Sequence, residues 1–327
     1  LKKNLQNFTI QKWITVLSIL LFLVKITAYY ITSSVSILSD ALESIVNVIA
    51  GFIGLYSLYI AAKPKDENHP YGHGKAEFVS AAAEGSLVIA AGIIIIYETV
   101  QNILQNTQIK SLDHGIWLIA STAVLNYVAG AYCIRMGKKN GSLALESSGK
   151  HLQIDTYSTA GVLLSIALIY FTKIYWLDKA IAIVLSVWIM YNGYTILRKS
   201  LAGIMDEADM VLLNEFINEL NKHKKVNWVD LHNLRVIKYG ALLHIDCHLT
   251  LPWYMNIHEA HVEIDALSDL IKNKFGDTIE LFVHTDGCLD FSCAICTKTD
   301  CSVRKHPFQQ QLIWTLDNLV SNQKHSI

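Results

Sequence analysis

The sequence predicts a polytopic α-helical membrane protein of six spans followed by a small α/β domain on the cytoplasmic side. Three observations carry that prediction. The 327 residues are 52% hydrophobic and only 17% charged, with a mean hydropathy of +0.32, whereas soluble domains carry roughly 25% charged residues. Apolar stretches long enough to cross about 30 Å of hydrocarbon, roughly 20 residues each, recur six times along the first 200 positions. Beyond residue 205 the apolar pattern changes to short alternating and helical runs. The charge changes with it, from 16 Lys/Arg against 11 Asp/Glu through residue 205 to 11 against 17 after it. This composition excludes an ordinary cytosolic enzyme, and the acidic second half excludes a nucleic-acid partner and suits cations.

The spans fall near 11–32, 35–62, 78–104, 114–136, 149–172 and 176–198, within a membrane domain of residues 1–205. An even number of crossings leaves both ends on one side. Lys2, Lys3, Lys12, Lys63, Lys65, Lys75, Arg135, Lys138, Lys139, Arg198 and Lys199 fall on that side, and Lys110 and Lys173 mark the loops opposite. By the positive-inside rule the termini and the 63–77 loop are cytoplasmic, as in a bacterial inner or plasma membrane. Lys2 and Lys3 ahead of an apolar run look like the start of a signal peptide. The run continues too far and more spans follow, so no cleavable leader is expected, and Leu1 points to a native start upstream.

Residues 206–290 read as an αββαβ module of ferredoxin-like or metallochaperone-like type. DMVLLNEFINELNKH has helical apolar spacing, WVDLHNLRVIKYG and ALLHIDCHLTL read as strands, IHEAHVEIDALSDLIKNKF is helical up to Gly276, and TIELFVHTDG alternates again. In ALLHIDCHLTL the alternation puts Leu243, Ile245, Cys247, Leu249 and Leu251 on one face and His244, Asp246, His248 and Thr250 on the other. Residues 291–327 form a cysteine-containing extension with a short helix.

Ionisable side chains in a membrane span are costly unless paired, so they are read as functional. SDALESIVN in the second span places Asp40, Glu43 and Asn47 on one helix face, and HLQID in the fifth places His151 and Asp155 one turn apart. Two helices each offering a pair at one-turn spacing can surround an ion. Two carboxylates, an imidazole and an amide carbonyl suit Zn²⁺, Mn²⁺, Fe²⁺ or Co²⁺, and protonating the same groups would evict the ion. The competing explanation is helix capping or pairing with Lys25 in the first span.

In the loop KPKDENHPYGHGKAE, Asp66, His69 and His73 place three candidate ligands within eight residues, although loop histidines are also ordinary solvated surface. Nine of the 13 histidines lie after residue 205. His284 and Asp286 share a strand face, and with His232, His248 and His261 they could form a multinuclear site bridged by Asp286. HEAH at 258–261 lacks the spacing of zinc proteases, which weakens a hydrolytic reading. Cys288, Cys293, Cys296 and Cys301 have the ligand types for Zn²⁺ or an iron–sulfur cluster, or for a redox pair.

Taken together, SVSILSDALESIVN, KPKDENHPYGHGKAE, HLQID and the module ending LFVHTDG resemble the cation diffusion facilitator family over nearly the whole chain to about residue 290. The resemblance implies a homodimeric metal/proton antiporter. It implies a transport site from Glu43, Asn47, His151 and Asp155, a loop site from Asp66, His69 and His73, and a cytoplasmic site from His232, His248, His261, His284 and Asp286. In the second span, zinc-type members place Asp or His followed four residues later by Asp, where this chain has Glu43 and Asn47. Asp40 is an alternative ligand to Asn47 there. The cysteine-rich extension lies outside the family pattern.

The resulting expectation is a secondary transporter, not an enzyme, that exports Zn²⁺ by alternating access with protons as counter-ion and Zn²⁺ also as regulatory ligand. Fe²⁺, Mn²⁺ and Co²⁺ are the alternative cargoes. Its expected partners are metal ions, membrane lipid and a second copy of itself. A membrane metal sensor that moves no ion, and an intramembrane metalloenzyme with Glu43 as base, are the competing classes.

Overall fold

The computed structural model describes residues 2–32, 35–104, 116–172, 176–240, 242–276 and 278–326. The chain divides into two compact units, Leu1–Met205 and Asp206–Ile327. The first holds six long helices, α1 (Lys2–Thr32), α2 (Val35–Ala61), α3 (Ala76–Leu104), α4 (Ile116–Asn140), α5 (Leu143–Thr172) and α6 (Trp176–Ile204). Several run past the apolar segments predicted for them, because polar turns such as KKNLQNFT and LALESSGK continue the helical hydrogen bonding at their ends. Among the described residues, four stretches are long and apolar enough to cross a membrane: Leu5–Thr27, Ser44–Ala61, Ala76–Gln101 and Lys179–Ile204. The helices α4 and α5 have comparable length but carry Arg135, Lys138 and Lys139, and Glu146, Lys150, His151 and Asp155, respectively. Lys110 and Lys173, expected in the loops of the opposite side, lie outside the described residues.

Small residues set the helix contacts. A Cβ built on Gly85 of α3 would stand 3.0 Å from the Gly193 carbonyl oxygen of α6, and one on Gly193 would stand 2.9 Å from that of Gly85. At the α4–α5 contact, a Cβ on Gly130 would meet the Gly149 oxygen at 2.7 Å, and one on Gly149 the Gly130 oxygen at 2.8 Å. Such backbone-to-backbone approach is how helices associate where lipid supplies no hydrophobic contrast. It also fixes α5 two residues before His151. Between α1 and α2, the Thr15 hydroxyl and the Gln11 amide both donate to the Gly51 carbonyl, at 3.1 and 3.4 Å.

The second unit runs α7 (Met210–Lys222), β1 (Asp230–Tyr239), β2 (Leu242–Leu251), α8 (Ile257–Phe275), β3 (Ile279–Gly287) and, in the extension, a single turn α9 (Leu316–Leu319). In α7, Leu213, Phe216, Ile217 and Leu220 form the buried stripe, and Asp209 caps the helix by accepting from the Leu212 N–H at 3.1 Å. The helix α8 starts in a reciprocal capping box between Asn256 and Glu259 and ends at Gly276, with φ of 90°. The sheet order is β1-β2-β3, with β1 and β2 antiparallel and β2 and β3 parallel across α8. Leu231, Ile245, Leu249 and Leu267 are fully buried in its core.

One difference from the alternation pattern stands out. His244 and Thr250, on the face of β2 expected to be polar, are buried. Near Thr250 the reason is the extension, which returns over β1: the Asn233 N–H donates to the Ser321 carbonyl at 2.7 Å, and Trp314 and Leu319 enter the core.

Asp209 joins the cap of α7 to Lys238 of β1. Burial pushes its carboxyl up, but the Lys238 ammonium and the cap N–H of Leu212 outweigh this and hold it below the usual carboxylate range. A lowered value stabilises the fold above the unfolded pKa, and that stability is lost as pH falls through the folded value. Asp209→Ala is expected to cost about 1 kcal/mol at neutral pH, and the gap to the unmodified chain should close below about pH 4. Thermal unfolding of the two proteins across pH checks this.

Candidate functional site

Among the described residues, three clusters of ligand-type side chains emerge. In the first unit, Asn47 of α2 faces His151 and Asp155 of α5. His151 Nε2 and Asn47 Oδ1 lie 2.5 Å apart, Asn47 Nδ2 donates to Asp155 Oδ2 at 2.5 Å, and His151 Nε2 stands 3.9 Å from Asp155 Oδ1. The amide is thereby oriented: its oxygen takes the imidazole N–H and its NH₂ feeds the carboxylate. His151 and Asn47 are 6% and 9% exposed. His151 Nδ1 is buried with no hydrogen-bond partner among the described residues. A small cavity bordered by Gln11, Ser18, Asn47, Ser148 and His151 adjoins the pair. Asp40 and Glu43 belong to α2 by backbone, but their side chains lie outside the described residues.

Glu84 of α3 was not picked out by sequence reasoning. It is fully buried, and both its oxygens accept hydroxyl hydrogens, from Ser147 at 2.6 Å and Ser148 at 2.7 Å, one turn before His151 on α5. It therefore ties α3 to the helix that carries the imidazole and carboxylate. The signal was present in the span three run AAAEGS, where a lone carboxylate sits among small residues.

The second cluster lies in the 62–75 loop. Asp66 Oδ1 accepts from the His69 backbone N–H at 2.7 Å and lies 3.0 Å from His69 Nδ1, while Asp66 Oδ2 lies 3.3 Å from His73 Nε2. The two rings stand 4.3 Å apart. Gly72, with φ of 88°, turns the chain so that His73 folds back on Asp66. Desolvation raises the Asp66 carboxyl, but the His69 hydrogen bonds and the two imidazoles lower it further, so it stays ionised below the usual range. His73 Nδ1 is buried without a partner among the described residues.

The third cluster is a product of strand register. His232 of β1 pairs with His248 of β2, and His248 with His284 of β3, so three histidines form one rung across the sheet. Asp286, two residues along β3, turns Oδ2 to His248 Nδ1 at 3.2 Å and to His232 Nε2 at 3.5 Å. His284 Nε2 lies 3.9 Å from Asp286 Oδ1 and its side chain is 66% exposed, at the rim. Burial holds the His232 imidazole below the ordinary histidine range, against the upward pull of Asp230 and Asp286, so it is neutral and able to ligate. His261 lies elsewhere, on α8, exposed and 3.7 Å from Asp265.

Among the described residues, Asp66/His69/His73 and His232/His248/Asp286 are the groups whose donor atoms all lie within 4.8 Å of one another. Both sets fit a borderline dication: imidazoles and a carboxylate, with a buried ring nitrogen of His73 or His232 that no hydrogen bond satisfies. Cys288, Cys293, Cys296 and Cys301 do not form such a group. They are free thiols in a loop clasped by Arg304, whose guanidinium donates to the carbonyls of Cys293, Cys296 and Lys298 at 2.8, 2.9 and 2.7 Å. Burial first, then the nearby Cys296, Cys293 and Cys301, raises the Cys288 thiol above the ordinary range.

The comparisons with known proteins agree with this architecture. Residues 12–205 match the family model described as the cation efflux transmembrane domain, and residues 209–288 match that of the cation efflux protein cytoplasmic domain. An uncharacterized transporter of Synechocystis sp. is 31% identical over 76% of this chain and 81% of its own length. A cation-efflux pump of Pectobacterium atrosepticum is 25% identical over 83% of this chain and 90% of its own, and protein p34 of Rickettsia prowazekii 24% over 82% and 88%. With one family model matching nearly all of the helical unit and the other matching the second unit as far as residue 288, the chain belongs to the cation efflux, or cation diffusion facilitator, family of integral membrane transporters.

Proposed function

We propose that this chain exports a divalent transition metal, Zn²⁺ foremost, in exchange for protons. It works as a homodimer of six-span subunits in a bacterial inner or plasma membrane, with both termini cytoplasmic. The observation that supports this best is the linkage of Asn47, His151 and Asp155 by hydrogen bonds inside an apolar helix bundle. Each of these three side chains has atoms that can offer a lone pair to an ion, and Asn47 links the other two by hydrogen bonds. A dication would replace those hydrogen bonds, and Glu43 from the preceding turns of α2 would supply the second negative charge. Imidazole in the set favours Zn²⁺ over harder ions, with Fe²⁺, Mn²⁺ and Co²⁺ as alternative cargoes.

Proton coupling follows from the same atoms. The nitrogen and oxygens that hold the cargo also accept protons, so acidification on the release side fills the lone pairs and expels the ion. Alternating access is carried by α2 and α5, which bear the ligands, moving against the rest of the bundle. The export direction is supported by the relatives named as cation-efflux pumps. The loop cluster and the His232–His248–Asp286 cluster are read as cytoplasmic metal sites that feed and regulate transport, with His284 at the rim of the latter. The four thiols have the ligand types for an accessory metal site and take no part in the transport step.

In proteoliposomes loaded with a pH gradient, Zn²⁺ flux is expected in the unmodified protein and should fall by about a hundredfold in His151→Ala and in Asp155→Ala. Flux that survives in the double variant overturns the transport site, and flux indifferent to the gradient overturns antiport. In the same vesicles, Asn47→Asp adds a carboxylate to the cluster and is expected to shift the ratio of Zn²⁺ to Fe²⁺ and Mn²⁺ flux by about tenfold. An unchanged ratio removes Asn47 as a determinant of selectivity.

A further inference from the structure

The extension beyond β3 takes no part in the transport reading, yet it is anchored where the cytoplasmic cluster lies. Trp314 is buried in the core of the sheet, with its backbone oxygen and N–H both bonded to the Asn221 side chain at 2.6 and 3.0 Å. Leu319, the last residue of α9, is fully buried as well. From this anchor the chain meets the cluster at three points. First, β1 has a register shift between His232 and Arg235, and Asn233 adopts a left-handed φ of 52°. The N–H turned outward there donates to the Ser321 carbonyl at 2.7 Å. The tail thus secures the bulge that follows His232.

The second point is Asp230, one rung along the sheet, where β1, β2 and β3 align Asp230, Thr250 and Asp286. His325 donates its backbone N–H to Asp230 Oδ2 at 2.9 Å, and its Nδ1 lies 2.7 Å from Oδ1. Its Nε2 lies 2.9 Å from the Asn318 carbonyl, which closes the tail on itself. The third point is Asp286. Lys324 Nζ donates to the Gly287 carbonyl at 3.1 Å and stands 3.3 Å from Asp286 Oδ1. The two oxygens of Asp286 are therefore divided: Oδ2 serves His232 and His248, and Oδ1 serves the ammonium.

We propose that the C-terminal tail is a tethered cation for the cytoplasmic cluster: Lys324 holds Asp286 in the metal-free protein, and a dication binding to His232, His248 and Asp286 must displace it. This rests on the reading of that cluster as a metal site. A lysine on a surface aspartate ordinarily contributes little, because ordering both side chains offsets the attraction. Here Ser321 and His325 fix the backbone on either side of Lys324, so much of that ordering cost is met by other bonds. A cation already seated on one carboxylate oxygen weakens that group as a ligand and repels a second cation beside it. The consequence is a threshold: cytosolic metal must exceed the level at which it outcompetes Lys324, and when it does, the last residues of the chain are released from the sheet.

The test uses the full-length protein in detergent, with Zn²⁺ titrated against a competing chelator dye and with amide hydrogen exchange followed over residues 316–326. Asp286→Ala identifies the cluster by the binding sites it removes. Lys324→Ala is expected to bind Zn²⁺ about fivefold more tightly at those same sites, and Lys324→Arg to stay near the unmodified protein. Zn²⁺ should speed exchange at Ser321–His325 in the unmodified protein and leave it unchanged in Asp286→Ala. Zn²⁺ stoichiometry unaltered by Asp286→Ala overturns the metal reading of the cluster, and the tether with it. A site lost in Asp286→Ala but bound with unaltered or weaker affinity in Lys324→Ala overturns the tether alone, as does tail exchange indifferent to Zn²⁺.

Discussion

A carboxylate held away from water must have a partner at every moment, and this constraint organises the ligand clusters of the chain. When no dication is present, something else has to satisfy the oxygens that would hold it. At Asp155 one stand-in is the NH₂ of Asn47, a neutral donor. At Asp66, which is half exposed to solvent, a pair of imidazoles and a backbone N–H share the carboxylate with water. At Asp286 the stand-in is two imidazoles on one oxygen and an ammonium on the other. The strength of the stand-in sets how hard an arriving ion must compete. Differences in affinity among the clusters therefore follow from what occupies each carboxylate in advance as much as from the ligands themselves.

The scaffold around each cluster serves that competition by holding the partners at fixed separation. In the helical unit the glycine contacts of α4 with α5 bring the backbones together just ahead of His151, and Glu84 pins the same helix to α3 through two serines. Rotating α5 by one residue would move His151 and Asp155 off Asn47 together, because they are one turn apart on a single face. In the sheet unit, register does the same work: His232, His248 and His284 share a rung only because β1 pairs antiparallel and β3 parallel to β2 at that point.

Much of this was legible in the sequence, for reasons that differ by element. Apolar length marked the six long helices, and the changes in periodicity marked the order α7, β1, β2, α8, β3, because both are local properties of the chain. Pairs at one-turn spacing, such as His151 with Asp155, were legible for the same reason. The membership of the sheet cluster was harder. His232, His248 and Asp286 meet through strand register, whereas His261, grouped with them from the sequence, lies on the exposed face of α8 beside Asp265. Glu84 was passed over because its partners, Ser147 and Ser148, are more than sixty positions away and hydroxyls leave no signature in an apolar helix. Of the extension, only its cysteines and a short helix were legible, and not where it packs. It has almost no regular structure, and its contacts run through single backbone groups such as the Ser321 carbonyl.

On the proposed reading, the choice of stand-in also suits the role of each cluster. If the helical cluster carries cargo, a cation held on its ligands would be left beside an arriving dication, in a medium that screens like charges poorly. An amide avoids this, since Asn47 need only turn its oxygen toward an incoming ion to change from donor to ligand, with no net charge to relocate. At the sheet the opposite holds. Lys324 sits on a tail that reaches solvent, so its displaced charge is rehydrated at once and the tail carries the displacement outward. A neutral donor there would yield to metal without moving anything. On the proposed reading, a tethered ammonium would turn occupancy into a change in chain position, which a regulatory site needs and a transport site must avoid.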